Sequence, residues 1–589
     1  MGGPHGHNPR RDGLAVGYGH LQSPLEHQPK ALPGVDKMTN EGQAAVYDVV
    51  IVGAGPSGAV AAKRLAEEGM SVVCLEQGSY PDYTKLRHSG LEFELTKNQY
   101  FATNPNRRKD PSDYPIDVAE SEIEPLMWNG VGGSSVIYTA AWHRLKPSDF
   151  RVRTVDGIAD DWPLSYAELE PFYARVEHDF AVSGVGGDPA YPPGFDIPLP
   201  PFPMTAIDRK FSAAHDRLGW HWWPGSNSIA TVKHNGLHPC VRRGACAWGC
   251  FDGAKASVDR THWPACIKLG VKLVQNARVL RVETGSDGLA TGVTYIDRES
   301  GTTHFQPGRL VIVSANGIGT PRLLLNSAST QHPQGLGNSS GMVGKRLMMH
   351  PYGTVTGLFD DFFENWQGPY GQRAYSLEFA ETRKDTNFYR GAKWQLMGMG
   401  GPLATVGSWP WGSGGNVWGE NFHETVRKRF GRSAYWGIMA EDLPSEENMV
   451  LLDPDVTDAQ GMPAVKVKYK SSQNTLDLLD YNVLRATESM KEAGAYEVSS
   501  TPPMRETGWH ILGTVRMGND ATDSVVDRFG RSHDVGNLFV MDGSIMPTSG
   551  AVNPTGTVTA LALRNAEAII ANRRSQPVSQ TVEARKVGY

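Results

Sequence analysis

Three glycines and one glutamate between residues 53 and 76 have the spacing of a site that binds a dinucleotide. Gly53, Gly55 and Gly58 form the pattern G-x-G-x-x-G. The first glycine of such a turn permits a tight bend, the second lets the backbone approach a pyrophosphate, and the third allows close helix–strand packing. Glu76 follows at the distance where a carboxylate accepts hydrogen bonds from the ribose hydroxyls of an adenosine. The motif predicts a dinucleotide site without separating FAD from NAD.

The elements that must position these residues are visible on either side of the glycines. Val49 to Val52 is an apolar, β-branched run typical of a strand buried on both faces. Residues 59–69 are mostly small and aliphatic and predict a helix whose first N–H groups point at the phosphates. Residues 71–75 predict a second strand that ends at Glu76. This order of strand, turn, helix, strand and acid favours a dinucleotide site over a purely structural turn.

Three of the five cysteines form a second group of residues that could bind a metal. Cys240, Cys246 and Cys250 have the spacing C-x5-C-x3-C. Five cysteines are too few, and odd in number, for a disulfide framework, so neighbouring thiols in a reducing compartment favour a metal site over a disulfide. Buried free thiols without metal are one alternative. Structural zinc is another, since His238 would complete a Cys3His set.

Further segments, spread from residue 46 to about residue 575, carry the most specific signal. Residues 128–150 read WNGVGGSSVIYTAAWHRLKPSDF, and the C-terminal part contains GWHILGTVRMG and NLFVMDGSIMPTSGAVNPTGTVTALALRNAEAI. Other segments of this kind are VSANGIGTPRLLLNS (313–327), GKRLMMHP (344–351), residues 441–469 and SVVDRFGR (524–531). Together, and in this order, they resemble the glucose-methanol-choline (GMC) family of FAD-dependent oxidoreductases. RLKPSDF resembles the sugar and sugar-acid dehydrogenase branch of that family, whose relatives include glycoside oxidases.

The resemblance implies a cofactor, a reaction and a set of site residues. It implies FAD and oxidation of an alcohol by hydride transfer to the flavin. His510 matches the family's general base, and the pKa of imidazole suits removal of a hydroxyl proton near neutral pH. Asn553 matches the partner that orients the hydroxyl group and stabilises its developing negative charge. The residues expected to bind FAD are Gly53, Gly55, Gly58, Glu76, Gly132, Gly133, Ser134, Asp542, Gly543, Asn553 and Thr555.

The same resemblance leads to expectations about nearby residues. Residues 555–568 read as a helix that follows Pro554, and by resemblance its positive end points at the flavin edge where negative charge collects on reduction. Some family members attach FAD covalently through a histidine at the position of Ile137, so noncovalent FAD is expected here. His143 and His350 are expected to be structural, although His143 is near the flavin segment in sequence.

The cysteine spacing also resembles part of the family. Certain sugar dehydrogenases in it hold a three-iron, four-sulfur cluster, [3Fe-4S], between such cysteines, and the cluster passes electrons from reduced flavin to an external acceptor. Many members keep cysteines in this loop without metal, and Phe251 replaces a proline that often follows the last iron–sulfur cysteine. An iron–sulfur cluster, a metal-free loop and structural zinc therefore remain three alternatives for Cys240, Cys246 and Cys250.

The expected fold class is α/β (α+β overall), with a Rossmann-like FAD-binding domain and an interleaved antiparallel-sheet substrate domain. The FAD-binding domain would comprise residues 45–150, residues 228–355 with the cysteine loop, and residues 505–575. The substrate domain would comprise residues 151–227 and 356–504. A disordered leader is expected over residues 1–44 and a polar tail over residues 576–589.

A glycine-rich stretch in the predicted substrate domain carries three tryptophans. Trp409, Trp411 and Trp418 lie in GSWPWGSGGNVWGE. Such a stretch suits a lid over an active site, and it equally suits aromatic side chains that anchor a surface loop.

Length and charge limit the classes of function. A chain of 589 residues is too long for one core of ordinary size. Its 57 basic and 63 acidic side chains give a net charge of -6, which argues against a general nucleic-acid or anionic-membrane surface. It contains no uninterrupted apolar run of the roughly 18 residues that span a membrane, and no apolar signal region. A cytoplasmic protein without a transmembrane segment is expected, exported only if a partner carries it.

The predicted function is FAD-dependent oxidation of a primary or secondary alcohol on a sugar, glycoside or polyol. Electrons would pass to a protein, quinone or other non-NAD acceptor, and a small partner subunit is compatible with this scheme. The main alternative is an oxidase that reduces O2 to hydrogen peroxide. A lyase that uses flavin structurally is less favoured. A non-catalytic subunit is disfavoured because His510 and Asn553 are both present.

Overall fold

The computed structural model describes residues 44–86, 93–96, 98–398, 400–406, 418–501 and 503–586. Most of the leader predicted over residues 1–44 lies outside them, as do Trp409 and Trp411. Trp418 is described and 78% exposed.

This part of the chain contains sixteen strands and fourteen helices. The strands are β1 (Tyr47–Val52), β2 (Val72–Leu75), β3 (Ile116–Ser121), β4 (Trp223–Pro224), β5 (Lys272–Val274), β6 (Ala277–Thr284), β7 (Ala290–Asp297), β8 (Thr303–Val313), β9 (Tyr352–Leu358), β10 (Ala374–Ser376), β11 (Ala392–Met397), β12 (Ser433–Ala440), β13 (Met449–Thr457), β14 (Pro463–Tyr469), β15 (Glu497–Thr501) and β16 (Leu538–Val540). The helices are α1 (Pro56–Glu67), α2 (Phe93–Thr96), α3 (Pro105–Arg108), α4 (Val152–Asp156), α5 (Tyr166–Asp179), α6 (Ala206–Leu218), α7 (Val258–Thr261), α8 (Trp263–Lys268), α9 (Asn316–Asn326), α10 (Pro402–Val406), α11 (Phe422–Arg429), α12 (Gln473–Glu492), α13 (Thr555–Ala571) and α14 (Gln580–Lys586). Short 3-10 turns lie at Tyr83–Lys85, Gly133–Val136, Pro147–Phe150 and Gly543–Ile545.

The first sheet carries the glycine motif. Its strand order is β5-β2-β1-β8-β7-β6, and β16 pairs with β8 on the edge opposite β1. The strands β5, β2, β1, β8 and β16 are parallel, whereas β6 and β7 extend the sheet in antiparallel fashion. Because parallel strands are covered on both faces, Val49, Val50 and Ile51 are fully buried. Helix α1 packs on α13, which also packs on α5.

The second sheet has six strands. Its order is β15-β9-β12-β11-β10-β4, and all of its neighbouring strands are antiparallel. Helices α12 and α6 cover one face of it. A small third sheet, β13-β14-β3, lies apart from both.

The structure confirms the predicted fold class, a mixed α/β protein with a Rossmann-like sheet. The predicted helix over 59–69 is α1, which begins earlier because Pro56 suits the first turn of a helix. It stops before Gly69, whose φ of +73° is left-handed. The predicted helix over 555–568 is α13, which runs on to Ala571. The boundaries of the two interleaved domains stay predictions. Within the described ranges, no helix combines the length and apolar character needed to cross a membrane.

Candidate active site

The G-x-G-x-x-G turn connects β1 to α1 at the edge of the parallel sheet. Gly53 has a φ of +102°, and a Cβ atom there would lie 2.4 Å from the carbonyl oxygen of Ser314. A Cβ atom on Gly58 would lie 2.1 Å from the carbonyl oxygen of Gly53. Only glycine fits at these two positions, and the turn leaves the N-terminus of α1 open to a cavity lined by Gly53 and Gly55. That N-terminus is a suitable site for a phosphate.

Glu76 lies at the end of β2, buried beside the glycine turn. Its Oε2 accepts a hydrogen bond from the backbone N–H of Ala54 at 2.9 Å, and its Oε1 accepts one from Gly78 at 3.0 Å. Burial raises the pKa of this carboxyl, and the backbone N–H groups partly offset that rise. Glu76 also lines the cavity. It therefore holds the turn in shape while facing the space where an adenosine ribose is expected.

A second glycine turn closes over the first. Gly132 and Gly133 have φ values of +104° and +51°, and a Cβ atom on Gly133 would lie 2.7 Å from the Cα atom of Gly55. The two turns are thus in backbone contact, which no larger residue at 133 would allow. Ser134 follows in the 3-10 turn Gly133–Val136 and lines the same cavity.

The C-terminal motif supplies the opposite wall of this cavity. Asp542 is buried and accepts hydrogen bonds from the backbone N–H groups of Ser544 at 2.8 Å and Asn316 at 3.1 Å. Gly543 and Thr555, the first residue of α13, line the cavity beside it. Gly58, Gly132 and Asn553 do not line this cavity, but the other eight residues predicted to bind FAD come together from separate segments of the chain around this cavity. Its lining of glycine backbone, a helix N-terminus and a buried carboxylate fits a dinucleotide.

His510 lies where this cavity meets a second one. The second cavity has a volume of about 620 Å³. Pro56, Ser134, Trp509, His510 and Thr555 line both cavities. A group bound in the first cavity and a molecule bound in the second would therefore meet at His510.

His510 forms a hydrogen-bonded line with two other groups. Its Nδ1 lies 2.9 Å from Nδ1 of His350, and Nε2 of His350 lies 2.5 Å from the carbonyl oxygen of Gly550. A carbonyl oxygen only accepts, so Nε2 of His350 carries a proton and its Nδ1 is an acceptor in the neutral ring. Nδ1 of His510 must then donate. The network therefore assigns the unprotonated position of His510 to Nε2.

Asn553 lies on the Nε2 side of His510. Its Nδ2 is 3.5 Å from Nε2 of His510, and its Oδ1 accepts a hydrogen bond from Nζ of Lys393 at 2.6 Å. His350, His510 and Asn553 all line the second cavity. A donor amide and an unprotonated imidazole nitrogen thus face the same space.

The electrostatics of the site keep both imidazoles neutral. Burial lowers the pKa of His510 well below its ordinary value, and the neighbouring His350 and Lys393 lower it further. Burial also lowers the pKa of His350 to about 4, although its hydrogen bond to Gly550 opposes that shift. Both rings are therefore neutral near neutral pH, and the free Nε2 of His510 can accept a proton.

The rest of the second cavity combines aromatic and polar groups. Trp248, Tyr370 and Trp509 contribute ring surfaces, and Gln395 and Tyr352 contribute polar groups near Asn553. Ile137 also lines this cavity, so the position at which some relatives carry a cofactor-binding histidine has an aliphatic side chain here.

Two residues of the site were not predicted from the sequence. His350, expected to be structural, contacts His510, and the only sequence signal was its place in the GKRLMMHP segment. Lys393 gave no signal of a functional role, because polar and apolar residues alternate in AKWQLM as they do in many half-buried strands. His143 is buried and hydrogen-bonded to Gln372 at 2.9 Å, and it lines neither of these two cavities.

In the cysteine loop, two thiols accept hydrogen bonds from backbone groups. Cys240 accepts a hydrogen bond from the backbone N–H of Arg242 at 3.3 Å, and Cys250 accepts one from Lys255 at 3.5 Å. Burial raises the pKa of Cys240 to about 12 and also raises that of Cys246. Nowhere in the described ranges are three or more His, Cys, Asp or Glu side chains grouped to hold a metal ion.

Comparison with known proteins agrees with this arrangement. Family models described as GMC oxidoreductase match residues 47–352 and 444–562. The chain is 38% identical to 2-methyl-1,2-propanediol dehydrogenase of Mycolicibacterium austroafricanum, over 91% of this chain and 98% of that protein. It is 30% identical to 6'''-hydroxyparomomycin C oxidase of Streptomyces lividus, over 89% and 91%. It is 29% identical to the fructose dehydrogenase large subunit of Gluconobacter japonicus, over 90% and 99%.

Solved structures show the same fold at lower identity. A formate oxidase matches with a TM-score of 0.62 and 16% identity, over 91% of this chain and 100% of that chain. Pyridoxine 4-oxidase from Mesorbium loti matches with a TM-score of 0.60 and 18% identity, over 89% and 99%.

Proposed function

The chain belongs to the GMC oxidoreductase family, and we propose that it oxidises a primary or secondary hydroxyl group of a sugar, glycoside or other polyol. One observation carries the proposal. The line from Gly550 through His350 to His510 leaves Nε2 of His510 unprotonated at the wall of a cavity, beside the Asn553 amide. Removal of a hydroxyl proton requires such an acceptor within hydrogen-bond reach of the substrate.

Members of this family use FAD, and the first cavity has the residues to hold it. Gly53, Gly55 and Gly133 leave backbone accessible to a pyrophosphate, and Glu76 would face the ribose. Gly543 would lie near the pyrophosphate and the ribityl chain of FAD. Bound FAD supplies the acceptor for the hydride that leaves the carbinol carbon as C–OH becomes C=O. The absence of a histidine at Ile137 supports noncovalent binding.

Side chains of the site take up the hydroxyl proton and stabilise the negative charge on the substrate oxygen. Nε2 of His510 takes the hydroxyl proton, and His350 holds the ring in the tautomer that can do so. Nδ2 of Asn553 donates a hydrogen bond to the substrate oxygen as negative charge develops on it. Thr555 begins α13, whose positive end faces both cavities and stabilises negative charge near the reacting atoms.

A compact polyhydroxylated substrate suits the second cavity. About 620 Å³ is within the usual range for a small-molecule site. The rings of Trp248 and Tyr370 offer flat surfaces for sugar C–H groups, while Gln395 offers hydrogen bonds. The names of similar proteins, which include a propanediol dehydrogenase and a fructose dehydrogenase subunit, support a polyol or sugar over a simple monoalcohol.

Two electron acceptors are candidates. The dehydrogenase names support a protein, quinone or dye acceptor, and the paromomycin-related oxidase supports O2 as the second candidate. The fructose dehydrogenase relative is named as a large subunit, which supports a partner subunit for this chain. A [3Fe-4S] cluster bound by Cys240, Cys246 and Cys250 stays a prediction, and it would serve only the dehydrogenase route.

One set of measurements separates these routes. The FAD absorption of anaerobically purified protein is recorded before and after addition of a sugar and polyol panel, together with its iron content. Bleaching by a member of the panel supports the proposed reaction, and bleaching by none contradicts it. Reoxidation by dye without peroxide identifies a dehydrogenase, whereas rapid peroxide formation in air identifies an oxidase. About three irons per chain would support the cluster, and none would leave Cys240, Cys246 and Cys250 as packing residues.

A further inference from the structure

A fully buried lysine touches the site from the antiparallel sheet. Lys393 lies in β11 with 0% of its surface exposed. Its Nζ donates to Oδ1 of Asn553 at 2.6 Å and to Oε1 of Gln395 at 3.3 Å. Among the residues that the structure describes, no carboxylate lies close enough to form an ion pair with it.

Such a lysine is costly for the fold. Burial of an amine without a carboxylate partner is unfavourable, and an apolar side chain of similar length would pack there at lower cost. Burial accordingly lowers the pKa of Lys393 far below its ordinary value. The next residue on the strand, Trp394, points to the other face and packs in the apolar core. The strand therefore places a polar side chain on the face that is turned toward the site. Because its burial does not stabilise the fold, a role in the site is the better explanation for it.

The contact with Lys393 decides which way the Asn553 amide faces. An asparagine amide has nearly the same shape in two orientations, and its hydrogen-bond partners select between them. Nζ donates to Oδ1, so Nδ2 is turned toward Nε2 of His510. In the opposite orientation, Oδ1 would face the lone pair of His510 and the oxygen on which negative charge develops. That arrangement would repel the substrate alkoxide that the amide is expected to stabilise.

A second amide fixes the direction of this hydrogen bonding. Nε2 of Gln395 donates to Oη of Tyr352 at 2.7 Å, which leaves Oε1 of Gln395 as the acceptor for Nζ. Nζ therefore donates to two oxygens, a number that even a neutral amine provides. The orientation of Asn553 does not depend on the charge of Lys393.

We propose that Lys393 is the positioning residue for Asn553, holding its amide with Nδ2 toward His510 and the substrate oxygen. This role rests on the proposed function, because it matters only if Asn553 stabilises charge on a substrate hydroxyl. Lys393 itself lines neither of the two cavities and acts through Asn553.

A double-mutant cycle tests this role. Lys393→Met keeps an unbranched side chain, one atom shorter, and removes both hydrogen bonds. The rate of flavin reduction at saturating substrate should therefore fall about tenfold or more, with a smaller change in KM. In an Asn553→Ala background the same substitution should lower the rate less than about twofold, because its target is gone. Lys393→Gln, which restores an N–H donor, should recover part of the lost rate. An equal loss in both backgrounds, or no loss in either, would overturn the proposal.

Lys255 offers a matched control. It is also a buried lysine, and its Nζ donates to the carbonyl oxygens of Val136, Tyr138 and Cys246. Lys255→Met should reduce stability, and its effect on the reduction rate, if any, should be the same with and without Asn553. FAD content and the unfolding temperature of each variant show whether the protein has folded.

A crystal structure of resting, FAD-loaded Lys393→Met separates failure of this role from failure of the proposed function, because it needs no substrate. The proposal predicts that the Asn553 amide turns or moves away from His510. An Asn553 side chain unchanged in position and in its distance to Nε2 of His510 would overturn the role of Lys393, even if polyol oxidation is confirmed. A displaced Asn553 in a protein that oxidises no polyol would leave the positioning role standing and refute the reaction.

Discussion

The imidazole of His510 lies 2.9 Å, Nδ1 to Nδ1, from the imidazole of His350. The two rings are nearly perpendicular, with an interplanar angle of 89°. Because the far nitrogen of His350 donates to the carbonyl oxygen of Gly550, the near nitrogen must accept from His510. This contact leaves the lone pair of His510 on the side of the cavity, and in the proposed reaction His350 holds His510 in that tautomer.

Replacement of His350 should slow the reaction without abolishing it. In His350→Ala, His510 loses its Nδ1 partner, and the tautomer with Nε2 protonated becomes accessible. Loss of one buried hydrogen-bond partner costs about 1–3 kcal/mol, or about fivefold to 150-fold in rate. The measurement is the rate of flavin reduction under anaerobic conditions at saturating substrate. His143→Ala is the matched control, because that histidine is also buried yet lines neither site cavity. Equal rates for His350→Ala and wild type would contradict the assigned tautomer.

The pH dependence of kcat/KM should have its acid limb well below the ordinary pKa of histidine. His510 acts as a base only when unprotonated, and burial with the nearby His350 and Lys393 lowers its pKa. The base form therefore persists as the pH falls through about 6.5, and activity should decline only in more acid solution. An acid limb with its midpoint at or above 6.5 would show that another group controls the reaction.

Stability should also fall with acid over a window set by the buried histidines. The folded pKa of His350 is about 4, below the value of about 6.5 expected in the unfolded chain. As the pH falls from about 6.5 to 4, the unfolded state takes up the proton first, so the free energy of unfolding decreases. The share of His350 is about 3 kcal/mol. Urea unfolding at several pH values should show a shallower decrease for His350→Gln than for wild type, and parallel curves would contradict the buried, neutral ring.

The glycine turn permits a sharp test of the cofactor site. A Cβ atom in Gly58→Ala would lie 2.1 Å from a carbonyl oxygen of the turn, so the purified variant should contain little or no FAD. Gly69→Ala is the matched control: no atom lies within 4 Å of its added Cβ, and only the left-handed φ makes it unfavourable, by about 1–2 kcal/mol. The ratio of FAD to protein, measured from the absorption spectrum, shows whether each variant binds the cofactor. A full complement of FAD in Gly58→Ala would contradict the assigned turn.

The parts of the molecule that the sequence predicts are those determined by local geometry. The turn at Gly53 and Gly58 and the strand and helix beside it are contiguous, and their residue types have few other uses. His510 and Asn553 could be assigned because their segments resemble a family. The contact between His350 and His510 joins residues 160 positions apart in the chain, and no periodicity encodes it.

Lys393 illustrates a different limit. In the sequence Lys393 and Gln395 alternate with apolar residues in AKWQLM, a pattern that ordinarily indicates a strand with one exposed face. The burial of Lys393 follows from the pairing of β11 with β12 and β10 and from the approach of Asn553 at the start of α13. Only the assembled fold shows that this face is turned toward the active site.

In the proposed reaction Nε2 of His510 takes the hydroxyl proton, and anaerobic reduction of His510→Ala by an active polyol is the sharpest test of this claim. The predicted result is a fall in the rate of flavin bleaching of roughly a hundredfold or more, with FAD still bound at the wild-type ratio. Bleaching at the wild-type rate in this variant would contradict the claim, because the proton would then have another acceptor.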